Sequence, residues 1–306
     1  MIRSLTVTNY LGDSLTIDLA RPEKSGFVIN SITGLGPGKA TINRTEISTS
    51  DGSIYNSSRI NERNIVISLQ YYYWFNESIE TLRQKSYRYF PLKKPVTLLF
   101  VTDNRIAKIT GRVETNDPDI FSKDEGSSIS IICPYPYFYA AGEDGTTVTT
   151  MSDVTPEFQY EFSNESLNEK KLLMGTIKHK AEALVRYLGD AETGVIITMR
   201  ALGTVTNPTL YDLDTAGHIK IDTDKLKTFT GSGLVDGDKI TICTIQGRKS
   251  VSLLRNGSTS NIIGCLDKTT EWFKLKTGDN IFAYTADSGS ENLMLQIENE
   301  TLYEGI

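Results

Sequence analysis

Glu298 and Glu300 stand two apart in an alternating run, so a strand there puts both carboxylates on one face. Glycoside hydrolysis uses such a pair, roughly 5 to 9.5 Å apart, one as acid and the other as nucleophile or base. With no cleft legible around them, a solvated strand face explains the pair better. The chain has two histidines, His179 and His218. They build neither H-E-x-x-H nor a Cys/His zinc pattern, and no G-x-S-x-G turn supplies a nucleophile. Asp212-Leu213-Asp214-Thr215-Ala216-Gly217 copies part of a calcium loop, but Ala216 fills the third ligand slot and Thr223 stands where a bidentate Glu belongs. It reads as a hairpin turn. Gly34-Leu35-Gly36-Pro37-Gly38-Lys39 suggests a phosphate loop, yet three residues rather than four separate Gly34 from Gly38, and Ala40 follows Lys39. It reads as a mobile loop. Trp272-Phe273 offers a sugar-stacking platform or a piece of core. The expectation is a protein with no catalytic residues, no metal and no cofactor, hence not an enzyme.

Composition points the same way. The chain has 306 residues, is 39% hydrophobic and 23% charged, and carries a net charge of −6. Residues 1–139 sum to about +2 and residues 140–306 to about −8, with no basic stripe in either part. Phosphate affinity comes largely from clustered Lys and Arg, so by charge neither part is a nucleic-acid-binding surface, and a duplex would pass by without sticking. Cys133, Cys243 and Cys265 have no C-x-x-C spacing and read as small buried strand residues. The opening MIRSLTVTNYLGDSLTIDL alternates and carries Asp13 and Asp18, unlike a signal peptide. No apolar run approaches the ~18 residues of a membrane span, so no membrane insertion is expected, and assembly is placed in a reducing cytoplasm.

Strands must position whatever the chain does. Leu5 and Val7, then Leu15, Ile17 and Leu19, alternate around Gly12-Asp13-Ser14 as a hairpin. Phe27–Ile32, Arg63–Leu69 (running on to Tyr71, Tyr73 and Phe75), Val96–Val101 and Arg105–Val113 continue the pattern. Residues 41–62 stay polar around a turn at Asp51-Gly52-Ser53. The spacing suits a hairpin arm from about Ile42 to Leu69, either reaching a neighbouring subunit or forming a loose surface loop. Gly34, Lys39, Arg44, Asp51, Tyr55 and Arg59 are its candidate contact residues. Asn76 offers an N-cap to one helix, with Ile79, Leu82, Tyr89 and Phe90 near one face and Pro91 as its stop. In Gly111–Tyr139 a polar loop with Asp117-Pro118 and Asp124–Ser128 joins two strands. The second ends where Pro134 and Pro136 cannot donate to a ladder, and Tyr135, Tyr137, Phe138 and Tyr139 follow.

This closes a first domain at 1–139. The small, acidic, hydroxylated stretch 140–156 reads as a linker or edge segment, and 157–306 as a second domain. There the period of two persists through Phe158–Phe162, Val195–Met199, Ile219–Ile221, Ile240–Ile242, Val251–Leu253 and Leu293–Ile297. Turn residues recur between the strands, the pattern of a two-sheet antiparallel sandwich. Lys178–Leu188 fits helix or strand. Gly237-Asp238 and Gly278-Asp279 each launch an alternating strand, one turn solution used twice.

The order of these motifs resembles the distal tail protein (Dit) family of long-tailed phages. The likeness rests on Gly111-Arg112-Val113-Glu114, Ile120-Phe121-Ser122 and Ile131-Ile132-Cys133-Pro134-Tyr135-Pro136-Tyr137-Phe138. It rests also on Asp51-Gly52, Leu82 through Phe90 before Pro91-Leu92-Lys93-Lys94, and Arg105 before the strand ending at Gly111. In the second domain it rests on Gly203, Asn207-Pro208, Gly217-His218-Ile219, Gly237-Asp238, Trp272-Phe273-Lys274-Leu275, Gly278-Asp279-Asn280 and Leu302-Tyr303-Glu304-Gly305-Ile306. The resemblance implies a mainly β protein. Its N-terminal domain would be a β-barrel or sandwich with one helix, closing into a six-fold ring of identical copies at the virion tail tip. Its C-terminal domain would be a galectin-like antiparallel β-sandwich. The partners implied are the tail tube protein, the tail-tip hub protein and receptor-binding parts. The alternative is a carbohydrate-binding receptor module for host-surface glycans, with Trp272 as the contact.

Overall fold

The computed structural model describes residues 1–48, 51–72, 77–142, 145–156, 175–179 and 182–306. The chain divides into two compact units, Met1–Gly145 with Leu302–Ile306, and Thr146–Thr301. The second unit is thus inserted in the first, and the last five residues belong with the opening ones.

The first unit contains β1 (Ile2–Thr8), β2 (Ser14–Asp18), β3 (Phe27–Thr33), β4 (Ala40–Glu46), β5 (Ser53–Ile60), β6 (Arg63–Tyr71), α1 (Ile79–Tyr89), β7 (Pro95–Thr102), β8 (Ile106–Asp119), β9 (Gly126–Cys133) and β10 (Phe138–Ala140). Its main sheet runs β2-β1-β7-β8-β9-β6-β3, an open path rather than the closed barrel held as one expectation. Strands β2 and β3 end the path and are not hydrogen-bonded to each other. Alternation fixes which face is buried: Leu5, Val7, Leu15 and Ile17 go inward with Ile65, Ile67, Leu98, Phe100, Ile109, Val113, Ile129 and Ile131. Leu19 falls beyond β2 and is exposed.

Asn76, the expected cap of α1, lies outside the described residues, as do Tyr73 and Phe75. The N-cap is Ser78, whose side chain accepts from Thr81 N at 3.2 Å. Leu82 and Ser86, four apart, form the buried face of α1, and Phe90 packs in the core just before Pro91. β8 is longer than expected. It continues past Val113 through Pro118, opposite Ser127, to Asp119. Proline is tolerated there because that end of β8 has a strand on only one side among the described residues. β9 stops at Cys133, before Pro134.

The second unit contains β11 (Thr146–Thr150), β12 (Ser152–Pro156), β13 (Gly175–His179), β14 (Glu182–Tyr187), β15 (Val195–Ala201), β16 (Thr209–Asp212), β17 (His218–Lys220), α2 (Thr223–Thr230), β18 (Lys239–Cys243), β19 (Ser250–Arg255), β20 (Ser258–Asn261), β21 (Gly278–Thr285) and β22 (Leu293–Glu300); β23 (Leu302–Tyr303) returns to the first unit. A six-stranded sheet, β11-β22-β15-β18-β19-β20, and a four-stranded sheet, β14-β21-β16-β17, share one core. Val195, Ile197, Met199, Ile240, Ile242, Leu295 and Ile297 meet Tyr187, Leu210, Ile219 and Phe282 there. This is an antiparallel β-sandwich.

The stretch 140–156 is strand for most of its length: β11 pairs with β22 from Thr146↔Glu300 to Thr150↔Gln296, where a run of Thr suits a sheet edge. The expected strand at Phe158–Phe162 lies outside the described residues. Lys178–Leu188 is strand rather than helix at β14, because Leu184↔Ile281 and its neighbours pair along β21.

A second helix, α2, was not anticipated. Asp222 caps it by accepting from Asp224 N and Lys225 N, and Gly231 closes it at φ +84°. The two Gly-Asp turns share a left-handed glycine but diverge at the acid. Asp238 is buried and holds Arg255, whereas beside Asp279 it is Asn280 that bonds back to Lys276.

Candidate functional site

Strands β4 and β5 form a two-stranded sheet of their own, separate from the main sheet. Their register runs from Ala40↔Ile60 to Glu46↔Ser53, with a bulge between Asn43 and Arg44. The arm is therefore shorter than the sequence suggested, since β6 leaves it to pair with β3 and β9. Nearly every residue on it is exposed, including Ile42 at 61%, Ile54 at 54% and Tyr55 at 62%. A lone hairpin is marginal in water. This one is laced by side chains instead: Thr41 to Asn61 (3.0 Å), Asn43 to Ser57 (3.0 Å), Asn56 to Thr45 (2.7 Å) and Tyr55 with Ser58 (2.8 Å). Alternation and register put Ile42, Arg44 and Tyr55 on one face, an apolar stripe with a charge beside it.

Five of the expected contact residues lie on or next to this hairpin. Lys39 precedes β4 and its carbonyl accepts from Asn61 N at 3.0 Å. Arg44 stands opposite Tyr55 and Arg59 opposite Thr41, and Asp51 sits at the tip beside Gly52, whose φ is +92°. Gly34 lies at the base. At φ +83°, with Asn64 O only 2.1 Å from where a Cβ would stand, only glycine fits there.

The base loop, read from the sequence as mobile, is held by one side chain. Arg63, 4% exposed, donates from Nη1 to the carbonyls of Gly34 (2.6 Å) and Gly36, from Nε to Pro136 O (2.6 Å) and from Nη2 to Glu304 O (2.7 Å). The Phe138 ring lies 4.7 Å from its guanidinium carbon. Burial lowers the Arg63 pKa from its usual value, and the charges of Cys133 and Glu304 offset only part of that. Four carbonyls solvate the cation, tying the arm's base, the end of β9 and residues 302–306 to one point. Next to it β23 pairs with β10, Ile306 N donates to Leu35 O (3.1 Å), and Arg105 donates to Gly305 O while stacking over Tyr303 at 4.2 Å. Arg63 escaped the sequence reading because a charge at the start of a strand looks like any solvated edge residue.

Trp272 lies in the second unit and is half-buried against its core, with Lys249 Nζ 5.2 Å from its ring. It lines a hollow of about 320 Å³ with Glu192, Glu271 and Lys274. Of the remaining candidates, Asp212, His218 and Glu300 have structural partners. Asp212 accepts from Thr215 Oγ1 (2.6 Å) and Asp214 N (3.0 Å), closing a hairpin turn. His218 bonds Thr269 (3.0 Å) beside the Tyr211 ring, and Glu300 pairs with Arg248 at 3.1 Å. Among the described residues no helix is long and apolar enough to cross a membrane.

The class that this architecture defines is a mainly β protein of antiparallel sheets, one unit an open sheet with an isolated hairpin, the other a sandwich. Among solved structures it is similar to the crystal structure of the SPP1 Dit (gp 19.1) protein, described as a paradigm of the hub adsorption apparatus in phages infecting Gram-positive bacteria. That match has a TM-score of 0.61 at 13% identity and covers 97% of this chain and 98% of the other. A chain of the phage P2 baseplate in its activated conformation with Ca matches at 0.45 and 14% identity, covering 98% of each. The chain therefore has the Dit fold. No protein-family model and no curated protein matches it.

Proposed function

We propose that this chain is a non-catalytic structural protein of a phage, prophage or tailocin tail tip. Copies of the first unit close into a six-fold ring that joins the tail tube to the tail-tip hub, and the second unit serves peripheral baseplate and receptor-binding parts. The observation that carries this reading is the end-to-end likeness to SPP1 Dit, which spans both units rather than one shared sandwich. The exposed β4–β5 hairpin supports it, since a ring of identical copies needs a heterologous contact and an element to make it. Residues Gly34–Ile60 are then the inter-subunit arm. Assembly takes place in the host cytoplasm, and DNA passes through the ring without being gripped. Native mass spectrometry with negative-stain imaging tests this, with six-copy rings as the expected result. A strict monomer at high concentration that captures neither tube nor hub protein overturns it.

One observation favours a second reading, a glycan-binding module: the Trp272 hollow, where an aromatic ring stands beside acidic groups. A glycan array decides. A signal lost in Trp272→Ala supports that reading, and no signal in the parent protein removes it.

A further inference from the structure

We propose that the tip of the β8–β9 hairpin in one copy docks, through Ile120 and Phe121, on an apolar and basic patch at the base of the same sheet in a second copy. The proposal rests on the ring reading and adds a second contact to that of the β4–β5 arm, without which the ring does not close. Phe121 is fully exposed at 100% and Ile120 at 42%. A side chain of that size held out at a hairpin tip is an anchor without a socket among the described residues. Around it Asp117, Asp119 and Asp124 are exposed, against one exposed cation, Lys123; Glu125 is occupied by Arg83 at 3.6 Å. The tip is apolar with an acidic collar.

The complementary surface lies where β1 turns into β2 and α1 leads into β7. Leu11 is 66% exposed, Leu92 55% and Tyr10 50%, with Lys94 Nζ 5.4 Å from the Tyr10 ring. Lys93, Lys94 and Arg112 ring this patch, while the nearby Arg88 is neutralised by Asp13 at 2.7 Å. The patch is built rather than loose. Lys93 is held in the left-handed region at φ 65°, which side chains avoid. Its N–H donates to Val113 O (2.9 Å) and its carbonyl accepts from Arg112 Nη1 (3.0 Å). That conformation turns Leu92 and Lys94 out to solvent.

One copy cannot make this contact with itself. β8 passes the patch at Arg112, opposite Pro95, and runs on to Asp119 with β9 ladder-bonded beside it. At ~3.3 Å per residue the tip stands roughly 20 Å beyond its own patch. The bulge between Val113 and Thr115 bends the hairpin without returning it. Two different surfaces displaced along one element make a heterologous contact, the kind that generates rings. Their opposite charge steers the encounter.

Sedimentation analysis of variants tests this. In Phe121→Ser, and separately in Leu11→Ser with Leu92→Ser, the ring is lost to a monomer with the far-UV circular dichroism of the parent, since these side chains are exposed. Mixing the two variants gives species of two copies and nothing larger, because each retains one working surface. Asp117→Lys with Asp119→Lys dissociates the ring, and adding Lys93→Glu with Lys94→Glu to that chain restores it. A full ring from Phe121→Ser overturns the contact while leaving the ring reading intact, and directs the tip to a different molecule. A mixture that stays monomeric also overturns it. A parent protein that is itself monomeric overturns the ring reading, and this contact with it.

Discussion

Arg63 is the side chain on which four backbone carbonyls of the first unit converge. In Arg63→Ala the carbonyls of Gly34, Gly36, Pro136 and Glu304 lose a charged donor, and bonds to charged groups contribute about 1.5–3 kcal/mol each. Loss of at least about 3 kcal/mol by urea unfolding is expected. Arg63→Lys should recover only part, because an ammonium lacks the planar fork that reaches four acceptors. Cys133 tests the same core differently. Burial pushes its thiol up to about 11 from an ordinary 9.0. The folded state therefore holds the proton more tightly than the unfolded chain between those values. Stability from this thiol is complete below pH 9 and is lost as pH rises towards 11, by up to about 1.4 kcal/mol per pH unit. Urea melts across that window should show the fall, and Cys133→Ala should lack it. Iodoacetamide below pH 9 should modify half-buried Cys243 before Cys133.

Among the elements, the β4–β5 hairpin and α2 make opposite predictions. The hairpin stands outside the core, so replacing Ile42–Ser58 with a Gly-Ser turn should change the stability of the first unit by no more than about 0.5 kcal/mol. On the proposed reading the same excision weakens ring formation, which light scattering would register; an unchanged ring would remove the arm from the assembly. α2 contributes to the stability of the second unit through its cap. Asp222 holds two N–H groups of its first turn, and Asp222→Ala should cost about 1 kcal/mol in the second unit.

For the whole molecule, the main consequence is that the first unit is completed by residues more than a hundred and fifty positions beyond its opening segment. Leu302 is 1% exposed and Tyr303 8%, and burying side chains of this kind contributes about 1.5–3 kcal/mol apiece. Removing Leu302–Ile306 should lower the first unit's calorimetric transition by about 3 kcal/mol and leave the second unit's in place. A loss shared equally by both units would mean that this segment stabilises more than the unit it pairs with.

Much of this was legible without coordinates. Alternation at Leu5–Ile17, Ile65–Leu69 and Leu293–Ile297 was enough to mark strands and their inward faces, because the side-chain period of a strand is two whatever the strand pairs with. Pro91 and Pro134 marked stops because a missing N–H is a local fact. The hairpin arm was legible only as one of two readings, from its turn at Asp51-Gly52, and its extent was not, because β6 leaves it to pair with β3 and β9. What the sequence could not decide were pairings between distant residues. Nothing local separates Arg63 from a solvated arginine, or ties Leu302–Tyr303 to Phe138–Tyr139 rather than to the strand just before it. Likewise the full exposure of Phe121 follows only once the sheet is assembled and its hairpin projects. Periodicity is a property of neighbours along the chain; closure, burial and exposure belong to neighbours in space, and only the tertiary structure assigns those.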